Sequence, residues 1–463
     1  MGGIIVKLAS SPQSSVAKQV EKSEKISYGL GNLAANLLLT TANTYMVYYY
    51  TDIAGMTAAI VGALLLVAKI IDGVFDLSIG VFLDSTANRG SEKARPWIKK
   101  MAIPFGIALI LMFSVPNLTS GFKSIYAFIT YILAMFIFSA ISVPYNTMIS
   151  LSSSDPHVRS EFSSYRNMLG SVGGWLLTVI TLPIVAFFGD GRRGWFLMAI
   201  VYGVIAILAY LICYRNTCER VIPTISKVQA DDKIIDKIKA VSKNKYWWLV
   251  LIIMILTFVT AGLGGVNVYF AKYVMGSASY VGALGTANYI PMILGSIVLI
   301  PLSARFSKKG IVMSGLLLNA LGCLVIMIGV QNITMVLIGS VLKGAGSATI
   351  FGLIYAMFGD TVDYGEWKFG KRAEGVTFSA GSFSEKIGSG LGVVILGFVL
   401  DMGGYVGGRA VQTVAAISAI KFTFVYLPLM IDFVCIGLLS FYHLDKIYAT
   451  IRTDLERVTV KNN

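Results

Sequence analysis

The chain has 463 residues, of which 56% are hydrophobic and 13% are charged, and its mean hydropathy is +0.74. Because soluble proteins carry about 25% charged residues, this composition excludes a soluble protein and indicates an integral membrane protein. The net charge of +14 does not indicate a nucleic-acid partner, since the basic residues lie in short segments between apolar stretches.

Twelve mostly apolar stretches are predicted to cross a membrane as helices of about 20 residues or more. They lie near 27–50, 57–83, 98–116, 122–150, 166–188, 194–214, 246–272, 278–303, 311–330, 333–359, 375–401 and 417–442. We therefore expect an all-α integral membrane protein with twelve transmembrane helices in two six-helix halves. The expected regions are an N-terminal segment at 1–26, bundles at 27–214 and 246–442, a central loop at 215–245 and a tail at 443–463.

Most of the 38 Lys and Arg residues lie near the termini and in the loops that follow even-numbered spans. Because basic loops remain on the cytoplasmic side of a membrane, both termini and the central loop are expected in the cytoplasm of a plasma-membrane protein. The loops after the second and eighth spans are both basic and occupy equivalent places in the two halves. This arrangement fits a six-plus-six repeat whose halves rock about a site near the midplane.

The second span carries Lys69, Asp72 and Asp76 in its middle. Asp72 and Asp76 are four residues apart, so they share one helix face. Since charged groups inside a membrane are costly and are functional candidates by default, we expect this pair to bind Na⁺ or H⁺. The alternative is a structural ion pair between Lys69 and Asp72, with Asp76 capped by hydroxyl groups.

Polar residues also punctuate the first and fifth spans. Asn32, Asn36 and Asn43 recur on one face of the first span, where they could face a polar substrate or form interhelical hydrogen bonds. Arg166 begins the fifth span, and its planar guanidinium could hold a substrate hydroxyl or carboxylate. The alternative for Arg166 is an arginine at a helix end on the cytoplasmic surface.

The eleventh span contains Lys386 next to Glu385. Lys386 could donate to a substrate or pair with an acid on another helix. Alternatively, it is a structural partner of Glu385 or Asp401. Lys343 in the tenth span has no partner that the sequence identifies.

Several other features have structural interpretations. The aromatic residues at helix ends are interpreted as anchors at the membrane interface, and the four cysteines as packing residues. The aromatic residues are Tyr48, Tyr49, Tyr50, Trp247 and Trp248, and the cysteines are Cys213, Cys218, Cys323 and Cys435. The sequence shows no nucleophile–base pair, metal-ligand spacing or phosphate-binding glycine loop. We expect neither an enzyme nor a cofactor, and an ion or substrate gradient as the source of energy.

Six motifs carry a resemblance to a known family. They are YYYTD (48–52), AKIIDGVFD (68–76), RGSEKARPW (89–97), SVPYN (142–146), SSYRN (163–167) and DTVDYGEWKFGKRAEG (360–375). Through these motifs the chain from about residue 25 to 445 resembles the glycoside–pentoside–hexuronide:cation symporters. The resemblance implies the major facilitator fold and sugar uptake coupled to Na⁺, Li⁺ or H⁺.

The resemblance also implies roles for individual residues. Asp72 and Asp76 match the cation-binding carboxylates of the family, and Ser139 matches a hydroxyl near that cation. The positions that match the sugar site are Asn36, Ser142, Asn146, Arg166 and Lys386. The expected partners are therefore a small sugar, a monovalent cation and the lipid bilayer, and the carrier is expected to work as a monomer.

Two departures from the family pattern change the expected ligands. Phe75 stands where the melibiose-transporting members have an asparagine of the Na⁺ site. Losing an oxygen ligand and adding a phenyl ring both favour H⁺ over Na⁺. Asn36 and Ser142 replace two aspartates of the sugar site, which favours a hexuronide or a neutral pentoside over melibiose-type galactosides.

Charged residues in two basic-side loops are candidates for gates that close the cytoplasmic side. They are Asp84, Arg89 and Arg95 in the first half and Asp360, Asp363, Glu366 and Arg372 in the second. The alternative is solvated charge that sets the topology. Two other functions stay open on the same fold: a transporter of lysolipids or other amphiphiles, and a sugar exchanger without ion coupling.

Overall fold

The structure is a computed structural model that describes residues 20–85, 92–117, 119–153, 155–221 and 239–462. Within these ranges it is all-helical, with no strands. The first half contains α1 (Lys22–Tyr48), α2 (Ala58–Ser85), α3 (Arg95–Met112), α4 (Ser120–Ser152), α5 (Pro156–Phe187) and α6 (Gly191–Asn216). The second half contains α7 (Lys245–Val274), α8 (Tyr280–Arg305), α9 (Lys308–Ile328), α10 (Ile333–Phe369), α11 (Glu374–Met402) and α12 (Val414–Ser440), followed by α13 (Leu444–Asn462).

The described helices α1 to α12 correspond to the twelve predicted stretches, and the predicted all-α membrane fold class is confirmed, although twelve membrane spans stay a prediction. Among the described residues, ten of these helices are long and apolar enough to cross a membrane. The two others are more polar, because α1 carries the asparagine face and α3 begins with three basic residues, Arg95, Lys99 and Lys100. Both still pack into the first half, α1 against α5 and α6, and α3 against α4 and α6.

Among the described residues, three helix pairs make most of the contacts between the two halves: α2 with α11, α5 with α8, and α1 with α7. Small residues allow the close approach, as is usual between helices in lipid. A Cβ atom on Gly397 of α11 would lie 2.4 Å from the carbonyl oxygen of Ala58 in α2. A Cβ atom on Gly285 of α8 would lie 2.4 Å from Cγ2 of Thr178 in α5.

The two ends of the bundle differ in how the halves meet. We call the end where α1 terminates the Asp52 end, and the opposite end, where α1 begins, the basic end. Ala58 begins α2, Gly285 lies in the second turn of α8, and Gly397 lies near the end of α11, so these contacts lie toward the Asp52 end. The halves are therefore closely packed there.

Within the second half, α7 and α11 pack closely at Gly392. A Cβ atom on this glycine would lie 2.2 Å from the carbonyl oxygen of Val259. We expect Gly392→Ala to destabilise the protein by about 1–3 kcal/mol, because the backbone of α7 must move. Thermal unfolding in detergent measures the effect, and Gly437→Ala in α12 is the control, since nothing lies within 4 Å of its Cβ position. An unchanged unfolding temperature for Gly392→Ala contradicts this packing.

The structure corrects several of the interpretations from the sequence. Tyr48, Tyr49 and Tyr50 are buried, at 8%, 1% and 0% exposure, so they are not interfacial anchors. Trp247 is also buried, whereas Trp248 is 46% exposed. Cys218 is exposed and does not pack, although the three other cysteines are buried. The helix α1 begins at Lys22, inside the segment expected to end at residue 26.

Candidate transport site

The predicted acid pair lies where α2 faces α4 and α11. Ser139 of α4 donates its hydroxyl to Oδ1 of Asp72 at 2.9 Å. Nζ of Lys386 from α11 lies 2.8 Å from Oδ2 of Asp72 and 2.5 Å from Oδ2 of Asp76. The structure therefore brings Asp72, Asp76, Ser139 and Lys386 together, and the ammonium group of one half bridges both carboxylates of the other.

This arrangement decides between the alternatives for the two lysines. Nζ of Lys69 donates to Oδ1 of Asn43 at 3.2 Å, and the ion pair of Asp72 is with Lys386. The alternative of a Lys69–Asp72 pair is wrong, because Lys69 reaches toward α1. Lys386 is likewise not a partner of Glu385 or Asp401, since its side chain extends toward α2.

The surroundings of Asp76 offer few oxygen ligands. Phe75 packs edge-to-face against Phe136 of α4, with the ring centroids 5.0 Å apart. Oδ1 of Asp76 is buried and has no hydrogen-bond partner among the described atoms. Apart from these two aspartates, no third acid, His or Cys of the described chain joins them as a metal-binding group. The site can accept a proton on a carboxylate without further ligands.

A second group of polar residues lies on the α1 face predicted from its asparagines. Nδ2 of Asn36 donates to the carbonyl oxygen of Asn32, and Thr40 donates to Oδ1 of Asn36 at 3.0 Å. Nδ2 of Asn32 donates to the backbone oxygen of Arg166 in α5 at 2.9 Å. Gly170 permits this approach, because a Cβ atom there would lie 2.0 Å from Nδ2 of Asn32.

Arg166 extends from α5 to α4. Its Nη1 donates to Oδ1 of Asn146 at 2.8 Å. The neighbouring Tyr145 is fixed by two reciprocal hydrogen bonds with Tyr28, each hydroxyl donating to the backbone oxygen of the other residue. Ser142 lies one turn from Ser139 on α4 and is half-buried. Four of the five predicted sugar-site residues thus belong to α1, α4 and α5 of the first half, and Lys386 belongs to α11 of the second.

A cluster at the Asp52 end was not predicted. The side chain of Asp52 is 1% exposed and accepts hydrogen bonds from Nζ of Lys272 at 3.0 Å, from Tyr273 at 2.8 Å and from Tyr405 at 2.6 Å. We call these four residues the Asp52 cluster. Burial, followed by the neighbouring Tyr269 and Asp52, raises the pKa of Tyr405 well above its ordinary value, so the phenol stays protonated and donates.

The Asp52 cluster joins the halves, because Asp52 follows α1 and its three partners belong to the second half. Tyr269 adds a bond of 2.7 Å to Thr51. The sequence held two signals for this cluster: the YYYTD motif, and a basic residue, Lys272, on the side of the bundle where basic residues are rare.

The candidate gate residues at the basic end pair within their own halves. Arg95 bonds to Glu92 and to the carbonyl oxygen of Tyr214. Lys308 bonds to Asp360 at 2.6 Å, and Arg372 bonds to Asp363 at 3.0 Å and Glu366 at 2.7 Å. The side chain of Asp84 and the whole of Arg89 lie outside the described residues. A gate between the halves at this end stays a prediction for another conformation.

Comparisons with known proteins agree with this architecture. A family model described as MFS/sugar transport protein matches residues 27–446. An isoprimeverose transporter of Lactiplantibacillus pentosus is 35% identical over 464 residues, covering 98% of this chain and 96% of its own. A putative glycoside/cation symporter of Escherichia coli (strain K12), YagG, is 30% identical over 433 residues, covering 92% and 93%. The solved structure of a D-xylose-proton symporter aligns with a TM-score of 0.62 at 15% identity, covering 90% of this chain and 96% of its own.

The helical architecture, with two halves around buried charges, defines a multi-pass membrane carrier of the major facilitator superfamily. The chain belongs to the MFS/sugar transport protein family, and the predicted resemblance to glycoside–pentoside–hexuronide:cation symporters is confirmed. It is a secondary sugar transporter and not an enzyme.

Proposed function

We propose that this protein takes up a glycoside, pentoside or hexuronide across the plasma membrane together with a cation, and that H⁺ is favoured over Na⁺. Both termini lie in the cytoplasm in this proposal, and the monomer is the transporting unit. The names of the relatives support a glycoside as substrate, since one is an isoprimeverose transporter and another a putative glycoside/cation symporter.

The observation that carries the proposal is the bridge between Lys386 and the pair Asp72 and Asp76. When a proton binds one carboxylate, that group loses its negative charge and therefore its ion pair with the ammonium group of Lys386. The link between α2 and α11 is then weakened, and these two helices belong to different halves. Proton binding can therefore change the free-energy difference between the two orientations of the halves. Coupling between an ion and a conformation requires such a change.

The preference for H⁺ rests on the ligands around the pair. Na⁺ needs several oxygen ligands, but the ammonium group of Lys386 already lies on both carboxylates. Phe75, at the position that matches an asparagine of the Na⁺ site in the melibiose-transporting relatives, packs on Phe136 and supplies no oxygen. A proton needs one carboxylate oxygen and no further ligand.

The sugar is proposed to bind between the two groups of polar residues, with Asn36, Asn146 and Arg166 on one side and Lys386 on the other. Neutral hydrogen-bonding groups and a guanidinium suit the hydroxyl groups of a sugar. An amphiphile would require an apolar surface along this face, and the chain of bonds from Asn32 through Asn36 to Thr40 is polar. The Asp52 cluster is proposed to close the external side in this conformation.

Substituting Phe75 tests the ion preference. In membrane vesicles at fixed pH, we expect wild-type uptake of isoprimeverose to be unchanged when Na⁺ replaces K⁺. We expect Phe75→Asn to gain Na⁺-stimulated uptake of about threefold or more, because the amide adds an oxygen ligand beside Asp76. Phe75→Leu is the matched control, as it removes the ring without adding oxygen. Strong Na⁺ stimulation of the wild type contradicts the proposed preference for H⁺.

A further inference from the structure

A carboxylate on α11 lies outside the cation site. Glu385 precedes Lys386 in the middle of the helix, but its side chain takes a different direction. Its Oε2 accepts a hydrogen bond from the hydroxyl of Tyr355 in α10 at 3.0 Å. No ion pair between Glu385 and another described side chain accompanies this bond, and the residue is exposed. An exposed charge in a spanning helix requires an explanation, because lipid does not solvate it.

The pattern of exposure along α11 shows which way Glu385 faces. Phe383, Leu391 and Phe398 are 54%, 36% and 51% exposed and share one face, as expected for a surface against lipid. Ser382 and Ser389, three residues before and four residues after Glu385, share its face instead. Glu385 therefore shares a face with two serines and lies away from the face of these three apolar side chains.

This polar face is directed at the space between the halves. Glu385 is next to Lys386, whose ammonium group reaches Asp72 of α2 in the other half, and Lys69 lies one turn before Asp72. Lys69 in turn bonds to Asn43 of α1. The carboxylate is thus exposed on the same central space as Lys386 and opposite the polar face of α1.

Lys69, the charged residues proposed for the two sites and Glu385 together carry three charges of each sign. The three positive residues are Lys69, Arg166 and Lys386, and the three negative residues are Asp72, Asp76 and Glu385. Asp72 and Asp76 are held by Lys386. Glu385 is the carboxylate whose described partner is a neutral hydroxyl, so both of its oxygens keep lone pairs for further donors.

We propose that Glu385 is a specificity-determining residue of the sugar site: its carboxylate accepts hydrogen bonds from sugar hydroxyls and repels sugars that carry a carboxylate. Sugar hydroxyls bind carboxylates through charge-assisted hydrogen bonds, which are stronger than neutral ones. A carboxylate on the sugar would lie beside the carboxylate of Glu385, and like charges repel each other. The substrate class is therefore a neutral glycoside rather than a hexuronide. This inference rests on the proposed sugar transport.

The test compares two competitors that differ at one group, a p-nitrophenyl glucoside and the corresponding glucuronide. Both compete with labelled isoprimeverose in counterflow assays on proteoliposomes. We expect the glucoside to inhibit the wild type at lower concentration than the glucuronide. In Glu385→Gln, we expect the ratio of the two half-inhibitory concentrations to shift toward the glucuronide by about tenfold.

Two control variants keep the test interpretable. Asp401→Asn removes an exposed carboxylate from the end of the same helix and should leave the ratio unchanged. Glu385→Asp keeps the charge, so the glucoside should still inhibit at lower concentration than the glucuronide. This variant provides the test if Glu385→Gln carries no sugar. A purely structural role for Glu385 lowers transport without moving the ratio, and an unchanged ratio in Glu385→Gln overturns the inference. If the wild type carries none of the three sugars, the proposed function fails instead.

Discussion

Asp72→Asn is expected to abolish sugar accumulation driven by a proton gradient while leaving sugar exchange intact. One pH unit corresponds to about 1.4 kcal/mol and sustains about tenfold accumulation at one-to-one coupling. Because asparagine does not take up a proton, Asp72→Asn should bring the ratio of internal to external sugar near one. Counterflow of sugar without a gradient should continue, since Asp76 still pairs with Lys386.

The measurement is uptake in vesicles with an imposed pH gradient, followed by counterflow in the same preparation. Asp76→Asn should behave as Asp72→Asn does, because Lys386 bridges both carboxylates. Asp401→Asn should accumulate sugar normally, as this exposed carboxylate of α11 lies outside the site. If both Asp72→Asn and Asp76→Asn accumulate sugar like the wild type, the carboxylates do not couple transport to an ion. If neither accumulation nor counterflow occurs in any variant or in the wild type, the protein is not a carrier of the sugar used.

Lys386→Met tests the same bridge by removing the ammonium group instead of a carboxylate. It leaves two carboxylates side by side without a cation, which destabilises the folded protein because Asp72 is buried and like charges repel each other. We therefore expect it to impair folding and transport more than either Asn variant does. The combination of Lys386→Met with Asp76→Asn should recover yield, because the charges removed balance each other.

The spans and the acid pair were predictable because the sequence shows directly which stretches are apolar and which charges would be costly inside a membrane. A stretch of about 20 apolar residues has few alternatives to a spanning helix. Two carboxylates inside such a stretch are costly unless they have a function. The partner of these carboxylates was not predictable to the same degree, since Lys386 lies 310 residues from Asp76 and the sequence left several partners open.

The Asp52 cluster was missed for a related reason. A charge at the end of a spanning helix costs little free energy when water is near. Nothing in the sequence therefore distinguishes Asp52 from an ordinary surface acid. Tyrosines at a helix end are typical of the membrane interface, and Tyr48 to Tyr50 were interpreted in that way. Whether such a ring faces lipid headgroups or another helix depends on the rotation of α1, which only the packing of the two halves determines.

Asp52→Asn is expected to open the Asp52 end of the bundle. The carboxylate accepts three side-chain hydrogen bonds from the second half, and one of them comes from the ammonium group of Lys272. Removing one partner of a buried pair costs about 3–5 kcal/mol. Lys272 is 29% exposed, which reduces this to about 2–3 kcal/mol, or roughly a 30- to 150-fold change in the ratio of closed to open forms.

Distances between spin labels at the Asp52 end report this change. Phe187 ends α5 in the first half and Val411 follows α11 in the second, and both are 83% exposed. Cysteines at these positions are labelled after Cys218, the exposed native cysteine, is replaced by serine. The distance distribution of Asp52→Asn should gain a longer component that is minor in the wild type, and Tyr273→Phe should gain less of it.

The matched control is Asp190→Asn, which removes an exposed acid at the same end without touching the cluster. Asp190 has a φ of 52° and a ψ of -167°, and asparagine has the same shape as aspartate, so the substitution should not change the backbone. Combining Asp52→Asn with Lys272→Met should cost less than the sum of the two single changes, because each removes the same pair. If Asp52→Asn has the distances of the wild type, or if Asp190→Asn opens the bundle equally, the Asp52 cluster does not hold the halves together. Closure at this end then depends on the glycine contacts of α2 with α11 and of α5 with α8, which Gly397→Ala and Gly285→Ala would disrupt.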